Sequence, residues 1–293
     1  MSVFLSRKDR FLLPTPEPGG AYPFRVGRKI LSKDSSLPVC AHMHEEIELI
    51  AVLSGQLSLL VNGNELSLTA GEGILINGSR IHAVFPPELG ECELICVMLH
   101  PSLLGTNTTL VRELVEPRLK DPRVPYLKLR SDRFAHREIY EKIKWIHRMA
   151  REPMAPLWLM AAAAEIWANF CEHTEDTPSA HGRSTDDARA AAAMMTYVRE
   201  HCAERMTLPA IAASAEMGQS KCCKLFAAYL KETPIEYLTR CRLEKSARLL
   251  SDTSLTVHEI ANACGFAGGS YFAEAFHAHC GLTPTAYRKE YKK

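Results

Sequence analysis

The sequence predicts a multidomain α and β protein. An antiparallel β-barrel with associated helices comes first, followed by an all-α domain of two helix-turn-helix units joined by a linker helix. Three observations predict this. Between Phe24 and Pro101, short apolar runs alternate with glycine-bearing turns. A polar, aperiodic stretch at 173–187 (HTEDTPSAHGRSTDD) then separates that texture from a C-terminal third rich in helix formers. That third carries the same helical pattern twice. The length, 293 residues, suits two domains, each large enough to bury its own core.

The composition excludes other classes. With 24% charged and 46% hydrophobic residues the chain reads as globular, neither disordered nor fibrous. No apolar run reaches the roughly 18 residues of a membrane span. The nearest, Leu157–Cys171, is interrupted by Glu165 and Asn169. The start, MSVFLSRKDR, turns charged before an apolar core can form, so no secretory signal is expected. Ten cysteines without a CxxC pair read as reduced thiols filling core positions in a cytoplasmic protein.

Taken in order, residues 1–24 hold Pro14, Pro16, Pro18, Pro23 and Gly19-Gly20, and read as an irregular arm. Residues 25–172 form the first domain, with a barrel over about 25–102 and helices over about 131–171. The strand candidates are Glu48–Leu53, Gln56–Val61, Glu65–Leu68, Gly73–Ile76, Ile81–Phe85 and Glu93–Leu99. Asn62-Gly63 signals a tight hairpin, because both residues tolerate positive φ. After Pro117, Pro122 and Pro125 the period changes: Ile139, Ile143, Ile146 and Ala150 make one stripe of a helix. Pro153 and Pro156 end it. Leu157–Cys171 reads as a second helix with little polar surface, packed on the barrel or on a partner subunit. The linker 173–187 follows, then a domain at 188–293. From Asp187 onward there are 14 Lys/Arg and 11 Asp/Glu, a net +3; the remainder carries −2. That polarity alone is a poor argument for nucleic acid.

The repeat is a better one. A shift of 50 residues superposes Phe226, Ala228, Thr233, Pro234 and Tyr237 on Phe276, Ala278, Thr283, Pro284 and Tyr287. Upstream, Ile211-Ala212 and Ile260-Ala261 match at a shift of 49, so the second copy has one more residue between its paired helices. In the first copy Thr207 caps a helix with Pro209 in its first turn, and Gly218 lies in the turn. A helix over Gln219–Leu230 then turns Cys222, Leu225, Phe226 and Tyr229 inward. In the second, Thr256 and Glu259 form a capping box, Gly265-Phe266 turns the chain, and a helix over Tyr271–His279 turns Phe272 and Phe276 inward. Between the copies, Pro234–Leu250 reads as one helix with Arg240, Arg242, Lys245 and Arg248 on its surface.

The strings KLFAAYLKETPIEYLTRCRLEKSARLL and IANACGFAGGSYFAEAFHAHCGLTPTAYR resemble the AraC/XylS family of bacterial transcription regulators, over roughly residues 190–290. The resemblance implies two helix-turn-helix units that enter successive major-groove segments of double-stranded DNA about one turn apart. It places base contacts at Gln219, Ser220, Cys223 and Lys224, a phosphate contact at Lys221, and second-unit equivalents at Gly269, Ser270, Tyr271 and Glu274. Glu274 stands where an arginine is usual, and His277 where lysine is common. A carboxylate repels phosphate but can accept from cytosine N4, so we expect the first unit to carry most of the affinity.

In the first domain, HMHEEIE sets His42, His44 and Glu48 in an H-x-H-x₃-E pattern, and His82 follows at the end of GILINGSRIH. On a strand, His42 and His44 would share a face. Three imidazoles and a carboxylate suit a divalent transition metal: Zn, Ni, Mn or Fe. The arrangement over about residues 38–100 resembles the two cupin motifs, although Gly78 or Ser79 stands where a proline is common. Three readings stay open for these four residues: a metal site, polar lining of a small-molecule effector pocket, and hydrogen-bonded barrel structure. Glu46 and Arg80 are further polar candidates whose facing the sequence leaves undefined.

The reading that follows is a DNA-binding transcriptional regulator under effector control, not an enzyme. It would be homodimeric through the helices of Arg133–Phe170, with RNA polymerase as a candidate partner and no membrane association. The alternative is a metal-dependent cupin enzyme with a helical appendage.

Overall fold

A computed structural model describes residues 23–32, 39–105, 108–173 and 185–292. The arm at 1–24, apart from its last two residues, and most of the linker at 173–187 lie outside these. The described residues fall into two compact units that part between Thr185 and Asp186.

The first unit contains two antiparallel sheets. Strands β1 (Phe24–Ser32), β3 (Ile47–Ser54), β6 (Gly73–Ile76), β8 (Glu91–Leu99) and β9 (Tyr126–Leu129) form one, in the order β1-β8-β3-β6-β9. Strands β2 (Val39–His42), β4 (Gln56–Val61), β5 (Asn64–Thr69) and β7 (His82–Phe85) form the other, in the order β2-β7-β4-β5. Asn62 and Gly63 turn β4 into β5 with φ of 45° and 78°, the positive values that a two-residue hairpin requires.

Strands β3, β6 and β8 of the larger sheet are largely apolar on both faces because both faces are covered. Ile50 and Val52 of β3, Ile74 and Ile76 of β6, and Leu94 and Met98 of β8 meet Leu57, Leu59, Leu68 and Val84 between the sheets. The alternate residues Leu49, Ala51, Leu75, Ile95 and Val97 face outward, onto helices. Those helices are α3 (Phe134–Met149) and α4 (Ala155–Glu172). The stripe Ile139, Ile143, Ile146 is buried there, joined by Leu159, Ala163, Ile166 and Phe170 of α4. Between β8 and β9 lie α1 (Thr108–Leu110), a π-helical stretch at Val111–Val115, and α2 (Glu116–Lys120).

The second unit is α-helical: α5 (Thr185–His201), α6 (Leu208–Ala213), α7 (Gln219–Leu230), α8 (Pro234–Asp252), α9 (Val257–Ala263), α10 (Gly269–Cys280) and α11 (Pro284–Tyr291). Helix α5 starts at Thr185, so 185–187 are helix where the sequence suggested linker. Likewise α10 begins at Gly269, two residues before the expected Tyr271, with Gly268 as its N-cap.

The repeated residues do repeated work. Phe226 meets Tyr237 edge to face with ring centroids 5.7 Å apart, and Phe276 meets Tyr287 the same way at 5.4 Å. Thr233 and Thr283 each cap the helix that follows and accept from the backbone N–H three residues on. Lys231 and Gly281, 50 residues apart, both end the second helix of a repeat in the left-handed region, with φ of 60° and 66°. Thr256 and Glu259 form the expected capping box.

One expectation fails. Arg240 is not on the surface of α8. It is 8% exposed, gripped by Glu232 at 2.6 Å and Glu244 at 2.8 Å, with its guanidinium over the Tyr237 ring. A surface arginine at that helical position would have left both carboxylates without a counter-charge beside an aromatic core. Arg242 is also partly withdrawn, held by backbone carbonyls.

Candidate functional site

Two candidate sites emerge, one in each unit. In the first, the interior of the two sheets holds His42, His44, Glu48 and His82, whose ligand-type atoms all lie within 4.8 Å of one another. Each arrives for a traceable reason. Glu48 shares the inward face of β3 with Ile50, by the period of two. His42 ends β2 directly opposite His82 of β7. His44 lies past the end of β2, so it does not share a strand face with His42 as the spacing suggested. It is brought in by a turn, since its carbonyl accepts from Ser79 N at 2.7 Å. This approach is close. A Cβ on Gly78 would stand 2.5 Å from the Glu45 carbonyl oxygen, which is why the residue there is glycine.

The second partners define the tautomers. His82 Nδ1 lies 2.8 Å from the Arg80 carbonyl and His44 Nδ1 3.1 Å from the Glu46 carbonyl. A carbonyl only accepts, so both Nδ1 atoms carry the proton and the Nε2 atoms face the centre. Glu48 Oε2 lies 2.8 Å from His82 Nε2 and 3.5 Å from His44 Nε2. Yet neither Nε2, both fully buried, makes a hydrogen bond of acceptable geometry.

This donor set fits a metal ion. Tetrahedral sites with bonds near 2.1 Å separate their ligands by about 3.4 Å, and octahedral ones by up to about 4.2 Å. Closing 4.8 Å to that range takes small side-chain rotations. Backbone carbonyls on the remote ring nitrogens are the usual outer support of histidine ligands.

Without an ion the same groups settle into charge pairing. Burial opposes protonation of His44, but the adjacent Glu46 and Glu48 carboxylates overcome it and push its pKa up to about 9. The His44 hydrogen bond holds Glu46 down, at about 2. Burial works against the Glu48 carboxylate too, but His44 and His82 hold it well below the usual range.

Two contributors are not evident from the motif. Cys96 Sγ donates to Glu48 Oε1 at 3.1 Å, and burial pushes that thiol well above its usual range. Arg25 of β1 bonds Glu46 Oε1 at 3.1 Å. The alternation of Leu94, Cys96 and Met98 on β8 was the signal for Cys96; Arg25 had none. Arg80 does not face the cluster through its guanidinium, which binds the carbonyls of Gly78, Leu119 and Asp121.

In the second unit, α7 and α10 present equivalent faces. Cys222, Leu225, Phe226 and Tyr229 are buried as expected, and so are Phe272 and Phe276. Gln219, Ser220, Lys221 and Lys224 of α7 are exposed, with Cys223 half-buried. On α10, Ser270, Tyr271 and Glu274 are exposed and Gly269 half-buried. The faces differ in charge: α7 carries two lysines, whereas α10 carries no lysine or arginine. Lys221 Nζ lies 2.9 Å from Asp187 Oδ1 at the start of α5.

Residues 211–290 match a family described as a helix-turn-helix domain, and residues 32–98 one described as a cupin domain. The chain is 25% identical over 250 residues, 85% of each chain, to an uncharacterized HTH-type transcriptional regulator, YdeC, of Bacillus subtilis. It is 33% identical over 98 residues to a putative AraC-like transcription regulator of Streptomyces antibioticus, covering 33% of this chain and 32% of that one. Among solved structures, ToxT of Vibrio cholerae O395 aligns over 92% of this chain and 98% of its own at 14% identity, with a TM-score of 0.47. No described helix is long and apolar enough to cross a membrane. With a helix-turn-helix domain match at residues 211–290, a cupin domain match at 32–98 and these relatives, the chain is similar to AraC-type helix-turn-helix transcriptional regulators that carry a cupin domain.

Proposed function

We propose that this regulator reads two successive major-groove segments of one DNA face with α7 and α10, under the control of a ligand bound inside the cupin domain. The observation that carries the reading is the equivalence of α7 and α10: the same Phe–Tyr pair seats both, and each turns a polar face outward. The spacing supports it. Helix α8, with 19 residues, spans about 28 Å at ~1.5 Å per residue, close to the roughly 34 Å of one duplex turn.

In this reading residues 188–293 are the DNA-binding domain. Gln219, Ser220, Cys223 and Lys224 contact bases and Lys221 a phosphate, while Gly269, Ser270, Tyr271 and Glu274 contact the second segment. The two lysines put most of the affinity in the first unit, and Glu274 discriminates, as an acceptor for cytosine N4.

Residues 25–172 are the control domain. His42, His44, Glu48 and His82 would hold a divalent transition metal or line the pocket of a small-molecule effector. A metal there supplies a Lewis-acidic coordination point for that effector. The effector acts only through a difference in affinity between two arrangements of the protein. Homodimerisation is supported by the outer face of α4, where Leu157, Trp158 and Met160 are 59%, 50% and 47% exposed. RNA polymerase is a further partner of such a regulator, and the cytoplasm its compartment.

Enrichment of bound duplexes from a random pool by the full-length protein tests the reading. A defined two-part sequence whose binding weakens steeply with salt is expected. Failure to enrich any duplex, even at low ionic strength, overturns it.

A further inference from the structure

Helix α5 touches both helix-turn-helix units, and it does so at opposite ends. At its start Asp187 pairs with Lys221 of α7. Just past its end, two carbonyls accept from one arginine in the middle of α8: Arg242 Nε reaches Cys202 O at 2.7 Å and Nη2 reaches Glu204 O at 2.9 Å. The same guanidinium stands 6.0 Å from the Phe266 ring. Phe266 belongs to the turn of the second unit and packs on Phe272 at 5.0 Å and Tyr271 at 6.2 Å, at the head of α10. Its neighbour Gly265 has φ of +82°, and a Cβ there would stand 2.6 Å from the Ala203 carbonyl. One arginine fork and one glycine contact therefore seat the turn before α10 on the carbonyl end of α5.

The two ends differ in strength. The Asp187–Lys221 pair is partly exposed, and such pairs near the surface contribute little. The Arg242 fork is partly withdrawn from water and sets two donors of one planar group on two carbonyls of the turn that follows α5. It also counters a weakness of the architecture. Without this brace, the two units are connected mainly by α8, and long helices bend.

We propose that Arg242, with Gly265, is a positioning residue that locks α10 relative to α7, so that the protein accepts a single separation between its two DNA segments. This rests on the reading of α7 and α10 as the DNA-reading helices.

The test uses the full-length chain and a duplex it enriches from a random pool, with the two contacted segments located by hydroxyl-radical footprinting. Derivatives carry 2 or 5 extra base pairs between the segments. Wild-type protein is expected to bind both derivatives at least about tenfold more weakly than the parent duplex, because the second segment is rotated out of reach. In Arg242→Ala that insertion penalty is expected to shrink to about threefold or less, whatever happens to parent affinity. A merely structural role would lower all three affinities together and leave the penalty unchanged, and that result overturns the proposal. If Arg242→Ala does not fold, by circular dichroism, Arg242→Lys decides the question: it keeps the charge, loses the fork, and must relax the spacing. A wild-type chain that binds DNA but ignores spacing defeats the proposal alone. One that enriches no duplex defeats the underlying reading, and the proposal with it.

Discussion

Replacing Lys224 with alanine should flatten the salt dependence of DNA binding by about one cationic contact, and replacing Lys221 should flatten it less. Both lysines are exposed on α7, but Lys221 already has a counter-ion, Asp187 Oδ1 at 2.9 Å. The Lys224 ammonium, entering the groove at a base edge, displaces condensed cations as a phosphate contact does, at about 0.9 per contact. Across a fourfold rise in salt, from about 50 to 200 mM, losing that contact changes the fall in affinity by roughly 3.5-fold. A phosphate that engages Lys221 must first displace the Asp187 carboxylate, so the net release is smaller. We expect Lys221→Ala to change the slope by less than half as much. Asp187→Asn should then raise affinity, most clearly at low salt. Glu274→Ala should leave the slope near wild type, because α10 carries no lysine or arginine to lose. Fluorescence anisotropy with an enriched duplex at three salt concentrations measures all four variants. Equal slopes for the two lysine variants would refute the argument from Asp187. A greater affinity loss in Glu274→Ala than in Lys224→Ala would refute the division of labour between the units.

Other outcomes follow from the packing and from the histidine cluster. Protein prepared without a histidine tag, stripped with chelator and offered Zn²⁺, Ni²⁺, Mn²⁺ or Fe²⁺, is expected to retain about one ion per chain by mass spectrometry, and His82→Ala to retain none; no stoichiometric metal in the wild type ends the metal reading. Gly78→Ala should drive the segment bearing His44 away from His82, since the new Cβ meets the Glu45 carbonyl at 2.5 Å. A loss of about 1–3 kcal/mol is expected from this overpacking, and an unchanged thermal midpoint would count against it. Phe226→Ala and Phe276→Ala, both at fully buried positions, should each destabilise the C-terminal unit by about 3–5 kcal/mol in denaturant titrations. If either costs under about 1 kcal/mol, the two copies are not structurally equivalent.

The C-terminal unit was the more legible half. Its helices are built from local signals: threonine caps, a proline in the first turn, apolar residues at i, i+3, i+4 and i+7. These act over a few residues, so they show in the sequence, and duplication displays each signal twice. The N-terminal sheets were less legible. Strand β9 (Tyr126–Leu129) is four residues of no particular alternation, and only its pairing with β6 makes it a strand. Likewise β2 is defined by its partner β7, and the motif on it continues past its end. That is why His44 reaches the cluster by a turn and not by a strand face.

What the sequence determined by itself was composition at the right periods: two classes of domain, the paired recognition helices, and the four residues that meet in the cupin interior. The helices depend on neighbours within a turn; the four cupin residues showed through the spacing of their two motifs, while pairing of β2 with β7 is what brings them together. Tertiary structure decided which charges are free and which are committed. Arg240 and Arg242 are alike as letters on a helix surface. One is buried between Glu232 and Glu244, and the other clasps the carbonyls after α5. A long flexible side chain takes its role from whatever lies several ångströms from its backbone, and segments distant in sequence supply that surrounding.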